Sequence, residues 1–304
     1  MKIYHHNDMD GLSSASMVIL CTHPNIKPDE YNKIVKESCI ELTHNKEEDA
    51  KKLSLVEPGE LVYIVDYSFT DNTKHMIDGV LEKTDKLVWI DQHISSIEFI
   101  KKYDYDKREY EDIKGLRFNG ISGAALVYIY FNTCKLNECP YYIQLISDYD
   151  CWNNKLQPDT DYFKLGYDGA EDKFKILYSL YVDYKRGRGE VEDLLIRNGK
   201  CIKGYIDSEN EYYRNQYGYE SKTEDGVPIF CVNKDTNSWI FGDLIKKYPA
   251  VCNYAFDGKE WVYSFYSDTN SDFDCSVYCT KHGGGGHKGA AGFRSSELLY
   301  KAIK

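Results

Sequence analysis

The stretch Leu61-Val62-Tyr63-Ile64-Val65-Asp66 decides the fold: an unbroken apolar run that ends on a carboxylate. A strand with one wet face would alternate apolar and polar residues, so an uninterrupted run of this length points to a strand buried on both faces, as in a parallel sheet. The pattern recurs in Leu87-Val88-Trp89-Ile90 before Asp91. Between the two runs, Thr73 to Lys86 is helix-like, and Ser122 is placed to cap a further helix over Gly123-Ala124-Ala125-Leu126-Val127-Tyr128-Ile129-Tyr130. Strands alternating with helices predict an α/β domain with a doubly wound, largely parallel sheet. Ligands of such sheets bind beyond the carboxyl ends of the strands, so Asp66 and Asp91 are expected on one edge.

A chain of 304 residues suits two domains of unequal size. The first is expected over residues 1–190. The charged, tyrosine-rich segment from Gly189 to Tyr217 has few breakers and reads as a connecting helix, giving a linker over 191–222. A smaller α+β domain then fills 223–304, with a cleft between the two. It should hold a strand at Val227–Val232, a helix from Trp239 to Lys247, and a hairpin that turns at Asp257-Gly258 between Asn253–Phe256 and Trp261–Phe265.

Net charge is −11, which argues against a surface that grips long duplex nucleic acid, because that affinity comes mainly from Lys and Arg on phosphates. A short oligonucleotide or a small nucleotide met by a local site remains compatible. No cationic segment followed by an apolar core opens the chain, and no apolar run would span a bilayer, so a cytoplasmic protein without a membrane partner is expected. The 10 Cys are scattered without a Cys-x-x-Cys pair, as buried thiols of a reducing compartment would be. A homodimer is allowed for.

Three constellations carry chemistry. In His6-Asn7-Asp8-Met9-Asp10-Gly11, an extended chain would turn His6, Asp8 and Asp10 to one side, and clustered carboxylates with an imidazole suit Mn²⁺, Fe²⁺ or Zn²⁺ better than Ca²⁺. The plainer reading is a turn in which Asp caps the next helix. Asp66, Asp91 and Asp148 add acidic points; each alone reads as a cap or turn residue, while together they suggest a site for two metals. Finally, Lys281-His282-Gly283-Gly284-Gly285-Gly286-His287-Lys288 holds four consecutive glycines, which a folded domain keeps where backbones approach closely or φ is positive. An anion could lie on such exposed N–H groups with His287 and Lys288 beside it.

The order His6-x-Asp8-x-Asp10-Gly11, Asp66, Asp91-Gln92-His93, Asp148 and Gly283–His287 resembles the DHH phosphoesterases with their DHH-associated C-terminal domain, nearest to the nano-RNase and oligoribonuclease-like members. The resemblance covers nearly the whole chain. It implies a Mn²⁺-dependent hydrolase, with Mg²⁺ as an alternative, that cuts short oligonucleotides or small nucleotides to nucleoside monophosphates. His6, Asp8 and Asp66 would hold one metal and Asp10, Asp66 and Asp148 the other. Asp91 would orient the site and His93 would face the scissile phosphate, while Gly284, Gly285, Gly286 and His287 would clamp the nucleotide. Two positions depart from the pattern. Gln92 stands where an imidazole ligand of the second metal is usual, which weakens that site, and Tyr266 replaces a phosphate-binding Arg, which moves that role to Lys288, Arg294 or Arg117. A phosphatase for 3′-phosphoadenosine 5′-phosphate or for a cyclic-dinucleotide product is the variant reading. A nucleotide-binding regulatory protein is the reading from outside enzymology.

Overall fold

The computed structural model describes residues 1–103, 112–268 and 270–303. It divides into two compact units, Met1–Ile202 and Lys203–Lys304. In the first, the elements run β1 (Lys2–His6), α1 (Met9–Thr22), α2 (Pro28–Ser38), β2 (Cys39–Leu42), α3 (Lys46–Leu53), β3 (Val62–Val65), α4 (Lys74–Leu81), β4 (Leu87–Ile90) and α5 (Ile94–Tyr103). They continue as α6 (Gly123–Asn132), α7 (Tyr141–Asp150), α8 (Asp159–Asp168), α9 (Lys173–Lys185) and α10 (Glu190–Tyr217), the last of which runs past the unit boundary.

Every residue of β3 and β4 is buried, as the apolar runs require. The sheet order is β2-β1-β3-β4 and all neighbours are parallel. Alternate side chains feed two cores. Ile3, Tyr63, Val65, Val88 and Ile90 pack with residues of α1, α6 and α7. Tyr4, Val62, Ile64, Leu87 and Trp89 pack on the other face with residues of α3, α4 and α5. The chain leaves β1 for β2 on one side and returns for β3 on the other, so the connections diverge between β1 and β3. That divergence opens a crevice at the carboxyl ends of these two strands, the position at which doubly wound sheets bind ligands.

Thr73–Lys86 is helical only over Lys74–Leu81; Thr84 then turns its hydroxyl to the Glu60 carbonyl (2.7 Å) and accepts from Lys86 N (3.0 Å), which ends the helix and starts the approach to β4. Ser122 caps α6 through Ala125 N (3.3 Å). Among the described residues no helix is long and apolar enough to cross a membrane.

The second unit holds β5 (Gly218–Lys222), β6 (Pro228–Asn233), α11 (Leu244–Lys247), β7 (Ala250–Phe256), β8 (Trp261–Tyr266), α12 (Cys275–Lys281), β9 (Gly285–His287) and β10 (Ala290–Ser295). The sheet order is β5-β6-β7-β8-β10-β9, antiparallel except for the β6–β7 pair. The turn at Asp257-Gly258 forms as expected, with Asp257 Oδ1 accepting from Lys259 N and Glu260 N. The helix expected over Trp239–Lys247 is broken: Gly242, at φ 50° and ψ −130°, separates a single tight turn at Ser238–Phe241 from α11.

Candidate metal centre

β1 delivers His6 to the crevice and α1 begins three residues later, so the acidic residues of this motif sit at a strand-to-helix turn instead of on an extended chain. Asp8 is the N-cap: its Oδ1 accepts from Gly11 N at 2.8 Å, and its Oδ2 meets His6 Nδ1 at 2.9 Å. The capping and the site readings of Asp8 therefore hold together. Gly11 permits the approach, because a Cβ there would lie 2.1 Å from His6 O and 2.9 Å from Asp66 Oδ2. The His6 ring packs on His44 at 4.8 Å, which in turn stacks on Tyr67 at 4.9 Å. His44 carried no motif, so its place beside His6 appears only in the fold.

Asp66 follows β3 in the left-handed region (φ 51°), uncommon outside glycine, and such outliers concentrate at functional sites. It is 2% exposed, and its Oδ2 has no hydrogen-bond partner. Ligand atoms of His6, Asp8 and Asp66 lie within 4.8 Å of one another, and so do those of Asp66, Asp91 and His93. The buried Asp66 carboxylate, with one oxygen that no donor reaches and a ligand atom within 4.8 Å of an imidazole and a second carboxylate, fits a divalent cation of borderline character.

Asp10 lies in the first turn of α1, and both its oxygens are engaged by the start of α6: Oδ2 with Gly123 N at 2.7 Å and Oδ1 with Ala124 N at 2.9 Å. Asp91 is fully buried; its Oδ1 meets His93 Nδ1 at 2.8 Å, and its Oδ2 accepts from Ser96 Oγ. The Asp91–Gln92 segment is braced by Leu116–Asn119, through Asp91 N to Leu116 O (3.0 Å) and Asn119 Nδ2 to Gln92 O (3.1 Å). Gln92 sends its side-chain amide among three carboxylates, at 2.7 Å from Asp66 Oδ1, 3.1 Å from Asp10 Oδ2 and 3.3 Å from Asp150 Oδ2.

The acid of α7 that reaches this group is Asp150 and not Asp148. Asp148 accepts from Lys155 N (2.8 Å), Leu156 N (3.1 Å) and Thr160 Oγ1 (2.6 Å), and so pins the chain that follows α7. Ser147, one turn before Asp150, meets Ser122 N at 3.1 Å and marks the helix face that looks toward α6. That face is the one Asp10 occupies.

Electrostatics reflect the crowding. Burial, then neighbouring carboxylates, push Asp10 and Asp66 well above the usual carboxylate range, and Asp150 up to about 6. Burial also acts to raise Asp8, but the His6 imidazole and Gly11 N–H hold it at about 2. The hydrogen bond to Asp91 raises His93. Such a group of like charges at one sheet edge is costly without a cation. A cavity of ~460 Å³ opens beside it, lined by Asp8, Asp10 and Asp150 together with Tyr149, Lys164 and Lys173. The two lysines belong to α8 and α9, which carried no recognisable motif.

Arg117 is not placed as a phosphate ligand: its guanidinium donates to Trp89 O (2.9 Å) and lies over the Trp89 ring, where it fastens the segment beside β4. Arg294 pairs with Asp257.

In the second unit, the glycine run forms the edge strand β9 against β10, with His287 opposite Ala290 and Gly286 opposite Ala291. A Cβ on Gly284 would lie 2.1 Å from Gly292 O and one on Gly286 2.6 Å from Ala290 O, so close backbone approach explains these two, while Gly283 takes a φ of 78° and Gly285 faces open space. His287 and Lys288 are exposed, while Tyr266 of β8 is half-buried with its ring against Phe241.

Compared with known proteins, the chain matches no family model. It is 22% identical to the uncharacterized protein R106 of Acanthamoeba polyphaga mimivirus over 306 residues, covering 97% of this chain and 67% of that one. A pGpG-specific phosphodiesterase, PggH, from Vibrio cholerae superposes with a TM-score of 0.54 at 13% identity, over 97% of this chain and 92% of its own. An exopolyphosphatase-related protein from Bacteroides fragilis gives a TM-score of 0.48 at 14% identity, over 98% and 87%. The parallel sheet followed by the mixed second sheet is a fold that this chain shares with the Vibrio protein.

Proposed function

We propose that the protein is a metal-dependent phosphoesterase that hydrolyses short oligonucleotides or small nucleotides to nucleoside monophosphates. The observation that carries this reading is the buried, unpartnered Asp66 Oδ2 beside His6 and Asp8 at the crevice between β1 and β3. His6, Asp8 and Asp66 would hold the ion. Mn²⁺ suits the mixed imidazole and carboxylate donors, and Mg²⁺ is the alternative. When bound, such an ion supplies Lewis acidity, which offsets phosphate charge and makes water more acidic.

The remaining roles belong to the chain. Asp91 holds His93 through Nδ1, so the ring's Nε2 is free of that bond, and the raised affinity for a proton suits His93 to face a phosphate oxygen and to protonate the leaving oxygen. The cavity beside Asp8 and Asp150 offers Tyr149 to a base or sugar, while Lys164, paired with Asp168, and Lys173, held by the Tyr167, Asp168 and Ala170 carbonyls, add positive charge to its wall. His287 and Lys288, exposed next to the strand-edge amides of β9, would bind the far end of a nucleotide.

A second reading, hydrolysis of 3′-phosphoadenosine 5′-phosphate or of a linear cyclic-dinucleotide product, is kept because the Vibrio protein is described as pGpG-specific. The test is one panel: RNA and DNA dimers to pentamers, a long single strand, pGpG, 3′-phosphoadenosine 5′-phosphate and pyrophosphate, each with Mn²⁺ and with Mg²⁺. Release of monophosphates from the short substrates, slowing on the long strand as the acidic surface requires, supports the main reading. Turnover confined to 3′-phosphoadenosine 5′-phosphate or pGpG selects the second. Binding without turnover on any substrate leaves a nucleotide-binding protein.

A further inference from the structure

The two places at which a cation could meet this acidic group are not built alike. At the first, the shared Asp66 presents a buried oxygen with no partner. Its companions are adjustable, with the His6 side chain 32% and the Asp8 side chain 47% exposed. At the second, the space among Asp10, Asp66 and Asp150 already contains a hydrogen-bond donor, the Gln92 side-chain nitrogen. Resting on the metal reading above, we propose that this protein holds a single divalent ion, at His6, Asp8 and Asp66, and that the Gln92 amide takes the place of a second.

The orientation of the amide follows from its neighbours. Turned this way, the Gln92 nitrogen lies within hydrogen-bond distance of all three acids, whereas the reverse orientation would set a carbonyl oxygen against them. The carboxylates prevail even though Gln92, 5% exposed, is then left with an unpartnered Oε1. An N–H donor cannot ligate a metal, and Asp10, 2% exposed against 47% for the Asp8 side chain, is held by two backbone amides that open α6. Asp91 and His93, which also share Asp66, are bound to each other as His6 and Asp8 are, but the Asp91 side chain is fully buried with its second oxygen on Ser96, whereas that of Asp8 is 47% exposed. A neutral amide in place of a cation lets the three acids pack together through hydrogen bonds.

Metal content measures this directly. The purified protein is stripped with chelator, loaded with Mn²⁺, desalted and assayed by elemental analysis, with electron paramagnetic resonance on the same sample. The wild type should retain one Mn²⁺ per chain with the hyperfine pattern of an isolated ion, His6→Ala none, and Gln92→His two with the signature of an exchange-coupled pair. Two ions in the wild type, or a coupled pair in its spectrum, overturns the inference and leaves the metal reading intact. One ion in a folded Gln92→His overturns it as well, since the amide would then not be what excludes the second. Should that variant not fold, the wild-type spectrum decides. A wild type that retains no ion removes the metal reading itself.

Discussion

Asp148 and Asp150 lie two residues apart on α7, about 200° around the helix, and their carboxylates serve different ends. Asp148 ties down the backbone of Lys155 and Leu156 and the hydroxyl of Thr160; Asp150 meets Gln92. The expectation that Asp148 serves the metals came from its position in a motif, whereas helix phase decides, and the phase shows only once Ser147 is known to face α6. The other strand-end acids were legible because a carboxylate that ends an apolar run can point only past the sheet edge. The two substitutions should separate cleanly. Asp148→Asn removes a buried charged acceptor from three donors and should cost about 1–3 kcal/mol in thermal or urea unfolding, with activity per folded molecule kept. Asp150→Asn should leave the melting temperature unchanged or higher, because it removes a crowded acid held at about 6, and should lower kcat by about 10–100-fold. Equal effects of the two on stability and turnover would refute the division.

Elements with a single dominant signal were readable. β3 and β4 stand out as apolar runs, whereas β2, Cys39-Ile40-Glu41-Leu42, is short, broken by Glu41 and mostly half-buried. α8 and α9 scatter tyrosines and charges around their surfaces and bury only Thr160, Phe163, Gly166 and Tyr167 of the one, Leu177, Leu180, Tyr181 and Asp183 of the other, so no periodicity announces them. One contact between elements has a measurable consequence. α7 has no cap from its own N-cap residue Pro140, and the Glu192 carboxylate of α10 lies near the Tyr142 N–H instead. Burial pushes Glu192 up to about 7, against the pull of the Tyr142 N–H, with Asp193, Asp159 and Asp183 raising it further. A raised folded value means the folded chain keeps a proton that the unfolded chain releases near 4.5, so this stabilisation is complete below that pH and is lost as pH rises through about 7. Glu192→Gln keeps an acceptor for Tyr142 without the charge. It should raise the melting temperature by a few degrees at pH 8 and change it little at pH 4.5. The reverse pH dependence in paired melts would show that the carboxylate itself caps α7.

At the scale of the molecule, the sequence shows two domains through its change of pattern, from apolar runs with helices to turns and hairpins, but not the boundary between them. α10 runs unbroken from Glu190 to Tyr217, through Gly199 and Gly204, while packing divides the chain at Ile202 and Lys203, inside that helix. The candidate residues split between the units: His6, Asp8, Asp66 and His93 in the first, the β9 edge with His287 in the second. This split predicts different kinetic phenotypes. Asp66→Ala takes away the buried oxygen on which the metal reading rests, so turnover should disappear with every substrate, and retained Mn²⁺ should fall with it. His287 is exposed on an edge strand, so His287→Ala should leave folding and metal content unchanged. If its role is to bind the nucleotide, the variant should raise KM for a dinucleotide by about tenfold, which corresponds to about 1.4 kcal/mol of lost binding, with kcat little changed. Hydrolysis of bis(p-nitrophenyl) phosphate, which has no nucleoside for the second unit to hold, should proceed at the wild-type rate. Loss of Mn²⁺ or of activity on that small ester in His287→Ala would instead place this residue in the chemistry, and the separation of a metal centre from a nucleotide-binding edge would be refuted.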